Sequence, residues 1–398
     1  MEPEQTKPLF RQERTDKMKK EKLLHSTKIQ QMIAQYKHDM QLVDQLTADA
    51  EPHYEIEQEL YKKYEVKRGL RDLDGKGVRA GLTTISKVSA TQIVDGREVP
   101  AAGQLLYRGI PIEQLVQGFI THDRFGFEEI VYLLLMGHLP KADQLAQFKG
   151  LLTDYQELPN HFNSGVIMKM PSDNIMNTMA KCVLALHAYD PKPDDTSLPN
   201  VMRQCVQLVS QFPSLAVFGY QASMYFRNDR SMFIQKPDPK LSIAENILYM
   251  MRPDGKYTRL EAKLLDLCLV LHAEHGGGNN SAFTVHVVSS SGTDTYSTVA
   301  AALGSLKGPK HGGANIKVME MFEDLKQHCP DWEDEDALRE YLKGLLRGEG
   351  FDHSGLIYGM GHAVYSVSDP RAVILKSFVE QLLSLIHISE PTRLGMIS

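Results

Sequence analysis

The chain has 398 residues, enough for one large domain or two to three ordinary ones, because single cores stop growing near roughly 250–300 residues. Hydrophobic residues make up 42% and charged residues 24%, a globular composition that excludes wholesale disorder, collagen-like repeats and a disulfide mini-scaffold. Lys and Arg number 44 against 50 Asp and Glu, a net charge of −6; no nucleic acid or anionic membrane is expected as partner, though a local cationic pocket for a small anion remains open.

From Glu2 to about Glu65 the chain is rich in Lys, Gln, Glu and Met, with Leu23, Ile29, Ile33 and Tyr36 at helical spacing, which predicts helices with a solvated face. Interspersed acids blunt the Lys17–Lys22 cluster as a nucleic-acid patch. The same cluster sits where a signal peptide needs an apolar core, and no window approaches 18 continuous apolar residues, so a cytoplasmic protein is expected. Between Arg68 and Ile112 glycine and β-branched residues take over, and Asp95-Gly96 inside Ile93–Val99 signals a tight hairpin. Beyond it the pattern predicts helices over Phe125–Met136, Lys141–Tyr155, Ser172–Tyr189, Pro199–Phe226, Ser242–Met251, Arg259–His275, Thr295–Leu306, Ala314–His328 and Glu335–Leu346. Strand–helix alternation is missing, so the fold class is mainly α. Cys182, Cys205, Cys268 and Cys329 form no CxxC pair and read as reduced, mostly buried thiols.

Three segments could carry chemistry. An apolar run from Leu260 meets His272-Ala273-Glu274-His275-Gly276-Gly277-Gly278, whose glycines can end a helix and leave His275 at its mouth. His275 would serve equally as a helix C-cap, where the dipole favours imidazolium. His272, one turn from His275, and His286 lack the HExxH arrangement and a nearby cysteine, so no metal site is expected. In Gly304–Asn315 small residues let a ligand approach the backbone, and the following helix start presents unpaired N–H groups to an anion. Its positive end would keep His311 neutral; a tight interhelical turn explains the glycines alone equally well. His-Gly-Gly also resembles a lipase oxyanion loop, but the chain has no G-x-S-x-G elbow, which discards a hydrolase. In Gly359–Arg371, Asp369 before Pro370 is a helix N-cap followed by an N1 proline, with helix expected on to Leu383 and a structural role for Asp369. His362 follows a Gly-x-Gly that is no dinucleotide fingerprint, since the third glycine and the βαβ setting are missing.

Together and in this order, HAEHGGGNN at His272–Asn280, GPKHGGAN at Gly308–Asn315 and GMGHAVYSVSDPR at Gly359–Arg371 resemble the citrate synthase family. YRGI at Tyr107–Ile110, YLLLMGHLP at Tyr132–Pro140 and PDDTSLPN at Pro193–Asn200 extend the likeness over about Arg68 to Leu383. The resemblance implies a mainly α, two-domain citrate synthase-like fold with a small N-terminal β element. Residues 1–65 would be a charged helical extension, 66–311 a large helical domain, 312–383 an incomplete small domain and 384–398 a nonnative tail. It further implies a homodimer closing over oxaloacetate and acetyl-CoA, with acetyl-CoA as co-substrate and no resident cofactor or metal.

By the same resemblance His311 donates a hydrogen bond to the thioester oxygen of acetyl-CoA, and His362 polarises the ketone of oxaloacetate. His275 and Arg371 hold that substrate and its carboxylates, and backbone at Gly359 and Ala363 contacts CoA. Met360 and Ser366-Val367 depart from the family's pattern and put fine CoA contacts in question. The family's aspartate base lies in a motif N-V-D-x-x-S-G that these 398 residues lack. The reaction implied is condensation followed by hydrolysis of citryl-CoA. A 2-methylcitrate synthase taking propionyl-CoA is the alternative within the chemistry, one methylene being worth only about 1–3 kcal/mol. A noncatalytic paralogue binding CoA or oxaloacetate is the alternative outside it. Ser384 to Arg393 reads like a translated sequencing adapter, so the chain as written is expected to be poorly stable and essentially inactive.

Overall fold

Alternation along Ser86–Tyr107 and the Asp95-Gly96 pair build the expected hairpin. β1 (Ser86–Val94) and β2 (Arg97–Tyr107) run antiparallel with Val94 opposite Arg97. Asp95 and Gly96 take φ of 51° and 73°, the left-handed pair of a two-residue turn. Arg108 and Gly109 repeat the device at φ 47° and 85° and bring β3 (Ile110–Pro111) onto β2 in a sheet of order β1-β2-β3. The computed structural model describes residues 83–309, 311–329, 331, 334–360 and 364–378, together with 29–31, 33–35, 37, 38, 40, 41, 43–48, 57–65, 67 and 70. It divides into two units, Met1–Lys76 and Gly77–Ser398. In the first, helical residues between 29 and 48 form α1, and α2 is Gln58–Lys63.

The second unit is mainly α, as expected. After β3 come α3 (Ile112–Thr121), α4 (Phe127–Met136), α5 (Ala142–Tyr155), α6 (Ile175–Leu186), α7 (Leu198–Arg227), α8 (Ile243–Met251), α9 (Arg259–Leu271), α10 (Asn280–Ser289), α11 (Thr295–Leu306), α12 (Ala314–His328) and α13 (Glu335–Leu346). A last helix, α14, begins at residue 370 and is described to 378. α3 and α10 were not expected from the sequence, and α9 stops at Leu271 rather than at His275. The boundary expected after His311 falls within this unit. No described helix is long and apolar enough to cross a membrane.

Burial of apolar side chains organises the helices into three clusters. Leu186, Leu215, Phe218, Tyr296 and Leu303 join α6, α7 and α11. Leu105, Tyr107, Ile112, Ile130, Val270 and Leu271 join β2, α3, α4 and α9, with Ile374, Leu375 and Phe378 of α14 packed alongside. Tyr132, Phe148, Leu152 and Val206 join α4, α5 and α7. All four cysteines are free, Cys182 and Cys329 being buried.

Carboxylates set the helix starts. Asp266 on α9 accepts from Gly126 N at 2.7 Å and Phe127 N at 3.1 Å, capping α4 from outside, and Glu128 on α4 accepts from Ile243 N at 2.8 Å, doing the same for α8. Each fixes the axis of the helix that carries it against the next.

The Asp190 carboxylate ties three segments together. It accepts from Arg203 at 2.7 Å and 2.8 Å, Tyr296 at 2.6 Å, Gln204 at 3.1 Å and Lys192 N at 2.8 Å. Burial by itself would raise its pKa, but the Arg203 and Tyr296 donors, with Lys192 and Gln204, overcome that and hold it at about 2. The folded value lies below the unfolded value of about 3.9, so the contribution is complete above about pH 4 and is lost as pH falls through about 2. Asp190→Asn should lower the urea midpoint at neutral pH, and its deficit against the wild type should shrink steadily as pH falls from about 4 toward about 2. A deficit independent of pH would mean the network does not act through the charge.

Candidate active site

Tyr107 ends β2 with no exposed surface, and its hydroxyl sits 3.0 Å from Val270 O and 3.2 Å from Glu274 O. Val270 O is one of the last carbonyls of α9 and also takes Ala273 N at 3.3 Å, while Glu274 lies in the loop beyond, so Tyr107 joins the helix end to that loop. Burial pushes its phenol far above the ordinary tyrosine value, and it stays a donor. Glu274 turns back: its carboxylate accepts from Ser86 Oγ at 2.9 Å and Gly276 N at 2.6 Å. Capping falls to His272, whose Nδ1 donates to Cys268 O at 2.6 Å, and not to His275. His275 is half-buried beyond the helix, its ring 5.8 Å from that of Tyr365.

The second motif is fixed by the helix that follows the first. Asn279 caps α10, accepting from Ser281 N at 2.8 Å and Ala282 N at 3.2 Å, and Asn280 donates to Ser305 Oγ at 2.7 Å near the end of α11. Ser281 Oγ then stands 2.9 Å from His311 Nε2 and 3.1 Å from Ala302 O. His311 lies just before α12, its carbonyl accepting from Ala314 N at 3.1 Å. Burial lowers its pKa. Burial thus favours the neutral imidazole expected from the sequence. Gly312 is required by close approach, since a Cβ there would lie 2.7 Å from Leu306 O.

The third motif docks on the hairpin. Gly103 N donates to Ser368 O at 3.0 Å, Tyr365 Oη donates to Gln104 O at 3.3 Å, and a Cβ on Gly103 would overlap both Ser368 O and the Tyr365 ring. Tyr365 is buried, with the Arg371 guanidinium 6.0 Å and the His275 ring 5.8 Å from the centre of its ring. Burial and the Asp369 charge push its phenol up to about 12. Asp369 caps α14 as expected, Oδ1 accepting from Arg371 N at 2.9 Å, and it also holds the Arg371 side chain at 3.1 Å and 2.7 Å. Gly359 has a left-handed φ of 86° and packs on Val318 of α12. His362 and Ala363 lie outside the described residues.

The structure thus brings His275 and Arg371 together around Tyr365, and ties His311 to α10 through Ser281. Sequence reasoning passed over Tyr107, Glu274, Ser281 and Tyr365, although all but Ser281 sit inside the quoted motifs. Among the described residues, His187, Asp194 and Asp294 are the group whose ligand-type atoms come within 4.8 Å of one another. Asp294 there caps α11 through Ser297 N at 2.8 Å, and His187 pairs with Asp194 at 3.1 Å, so each has a structural task.

The family model for "Citrate synthase, C-terminal domain" matches residues 70–393. The chain belongs to the citrate synthase family. It is 35% identical over 307 residues to a citrate synthase of Acidithiobacillus ferridurans, covering 75% of this chain and 72% of that one. A 2-methylcitrate synthase of Shewanella oneidensis is 32% identical over 319 residues, covering 78% and 74%. Among solved structures, citrate synthase from Pyrobaculum aerophilum superimposes with a TM-score of 0.63 at 28% identity, covering 81% of this chain and 74% of that one. The protein is thus an acyltransferase-type enzyme of this family, with the family's mainly α fold. The match reaches residue 393, beyond Leu383 where likeness was expected to end, so it lends no support to an adapter-like origin for 384–398.

One hydroxyl proton has two acceptors at Ser281. If it goes to His311 Nε2, the imidazole carries its own proton on Nδ1 and can donate from there. Ser281→Ala removes that choice of tautomer. It should lower turnover by about tenfold, the worth of one orienting hydrogen bond of about 1.4 kcal/mol, with oxaloacetate affinity unchanged by calorimetry; equal turnover in the variant would detach Ser281 from His311's role.

Proposed function

We propose that the enzyme condenses oxaloacetate with acetyl-CoA and hydrolyses citryl-CoA to citrate and CoA, acetyl-CoA being a co-substrate and no resident cofactor taking part. The observation that carries this reading is His311: a neutral imidazole, kept so by burial and bonded through Nε2 to Ser281. A neutral donor facing a thioester oxygen stabilises the enolate as charge develops on that oxygen, an interaction stronger in the transition state than in the ground state. His275 and Arg371, gathered about Tyr365, suit a small dicarboxylate, because a guanidinium donates two parallel hydrogen bonds to a carboxylate. His362 polarises the ketone of that substrate, and backbone at Gly359 and Ala363 contacts CoA.

A small domain beginning after His311 closes over the large one and excludes water from the reactive intermediate. The working unit is a cytoplasmic homodimer, without membrane or nucleic acid as partner. Similarity to enzymes named 2-methylcitrate synthase makes propionyl-CoA the competing acyl donor, and the two differ by a methylene that a pocket separates by only about 1–3 kcal/mol.

Release of free thiol from acetyl-CoA, followed with and without oxaloacetate, tests the reading. Thiol release that depends on oxaloacetate is expected; none from a folded protein would favour a noncatalytic binding paralogue, and a higher kcat/KM with propionyl-CoA would move the assignment to 2-methylcitrate. His362→Ala should weaken both oxaloacetate binding and turnover, each by about tenfold or more if a charge-assisted bond is lost. His311→Ala should cost turnover and leave the oxaloacetate dissociation constant in place. A His362→Ala protein with unchanged oxaloacetate affinity would rule out contact with that substrate's carbonyl.

A further inference from the structure

The family match begins at residue 70, so α1 stands outside everything the enzyme reading explains. Its described side chains are all exposed, among them Ile29, Ile33, Met40, Val43 and Leu46, with Ile33 at 50%. Ile29, Ile33, Tyr36, Met40, Val43 and Thr47 follow one another at steps of 4, 3, 4, 3 and 4 residues in the sequence. Alternating steps of 4 and 3 make up the seven-residue heptad that keeps one seam facing a partner helix. A helix of this length is marginal alone in water, and a continuous apolar seam along it marks a contact surface.

Charge chooses the partner and its direction. Lys37 and Asp44 occupy the same flank of the seam, seven residues apart. If two copies pair in parallel, the flank that carries Lys37 and Asp44 meets the other copy's opposite flank, and the two charges cannot face each other. If they pair antiparallel with Met40 layered against Val43 of the second copy, Lys37 of each faces Asp44 of the other, twice by symmetry. We propose that α1 pairs with α1 of a second copy as an antiparallel coiled coil centred between Met40 and Val43. This contact is separate from any pairing of the catalytic units and tethers them by their N-terminal extensions.

Full-length Met40→Cys and Val43→Cys chains, alone and mixed, under mild oxidation test it, with the disulfide mapped by peptide mass spectrometry to separate it from the four native cysteines. A disulfide needs Cα atoms within about 7 Å, so the mixture should give the 40-to-43 linked dimer and neither variant should link to itself. A Met40→Cys homodimer would indicate a parallel pair and overturn the proposal. Absence of any link, with helicity retained by circular dichroism, would overturn it too, and association through the catalytic units alone gives that result. Lys37→Asp added to both chains should cut the linked yield roughly tenfold, two attractive pairs becoming repulsive, and Asp44→Lys on the same chains should restore it. Yield unaffected by Lys37→Asp would also reject the register.

Discussion

A single buried hydroxyl decides where the site's first histidine stands. Tyr107 has no contact with solvent, and its Oη meets the last carbonyls of α9 and the carbonyl of Glu274. Its one proton goes to one carbonyl at a time, and a buried carbonyl left without a donor costs about 1–3 kcal/mol. The hydroxyl therefore holds β2 against the end of α9. The Glu274 carboxylate continues the link, bridging Ser86 at the start of β1 to Gly276 N. Hairpin, helix end and glycine loop thus form one hydrogen-bonded unit, and His275 is the side chain that emerges from it.

The same hairpin receives the third motif, which explains why a small β element belongs to a mainly α enzyme. A strand offers a flat edge of backbone donors and acceptors, and Gly103 lets the chain at Ser368 approach closely enough to use one of them at 3.0 Å. Tyr365 fills the space a side chain on residue 103 would have taken. His275 and Arg371 then both lie near an aromatic ring that is itself tethered to Gln104. Two groups far apart in sequence are placed by strand geometry, which is stiffer than either loop.

Much of this was legible in the sequence where the signal is local. Asp95-Gly96 could only be a tight turn, Asp369-Pro370 could only begin a helix, and α11, α12 and α13 start and stop at the expected residues. α10 escaped because its sequence, Asn280 to Ser289, has no apolar face: it buries no residue fully and owes its helix to the Asn279 cap and its contact with α11. The end of α9 was misplaced by four residues because nothing within Leu271–His275 stops a helix; the stop is Tyr107, 163 residues away in sequence. Ser281 was invisible for a similar reason, as its meaning depends on His311 thirty residues later.

Asp369 shows how one carboxylate can cap a helix and orient a side chain at once. Asp369 is spent at first sight on α14, since its Oδ1 takes Arg371 N at 2.9 Å. Yet the same carboxylate grips Arg371 Nε at 3.1 Å and a terminal nitrogen at 2.7 Å, with both side chains largely buried. Removing either partner would leave the other charge poorly solvated, which is more costly than the loss of an exposed ion pair. An arginine held in one plane has already given up much of its rotamer freedom, so a carboxylate that arrives pays less to order it. The structural reading of Asp369 and the binding reading of Arg371 are consequently one arrangement: the residue that starts the helix also orients the guanidinium that would meet the substrate.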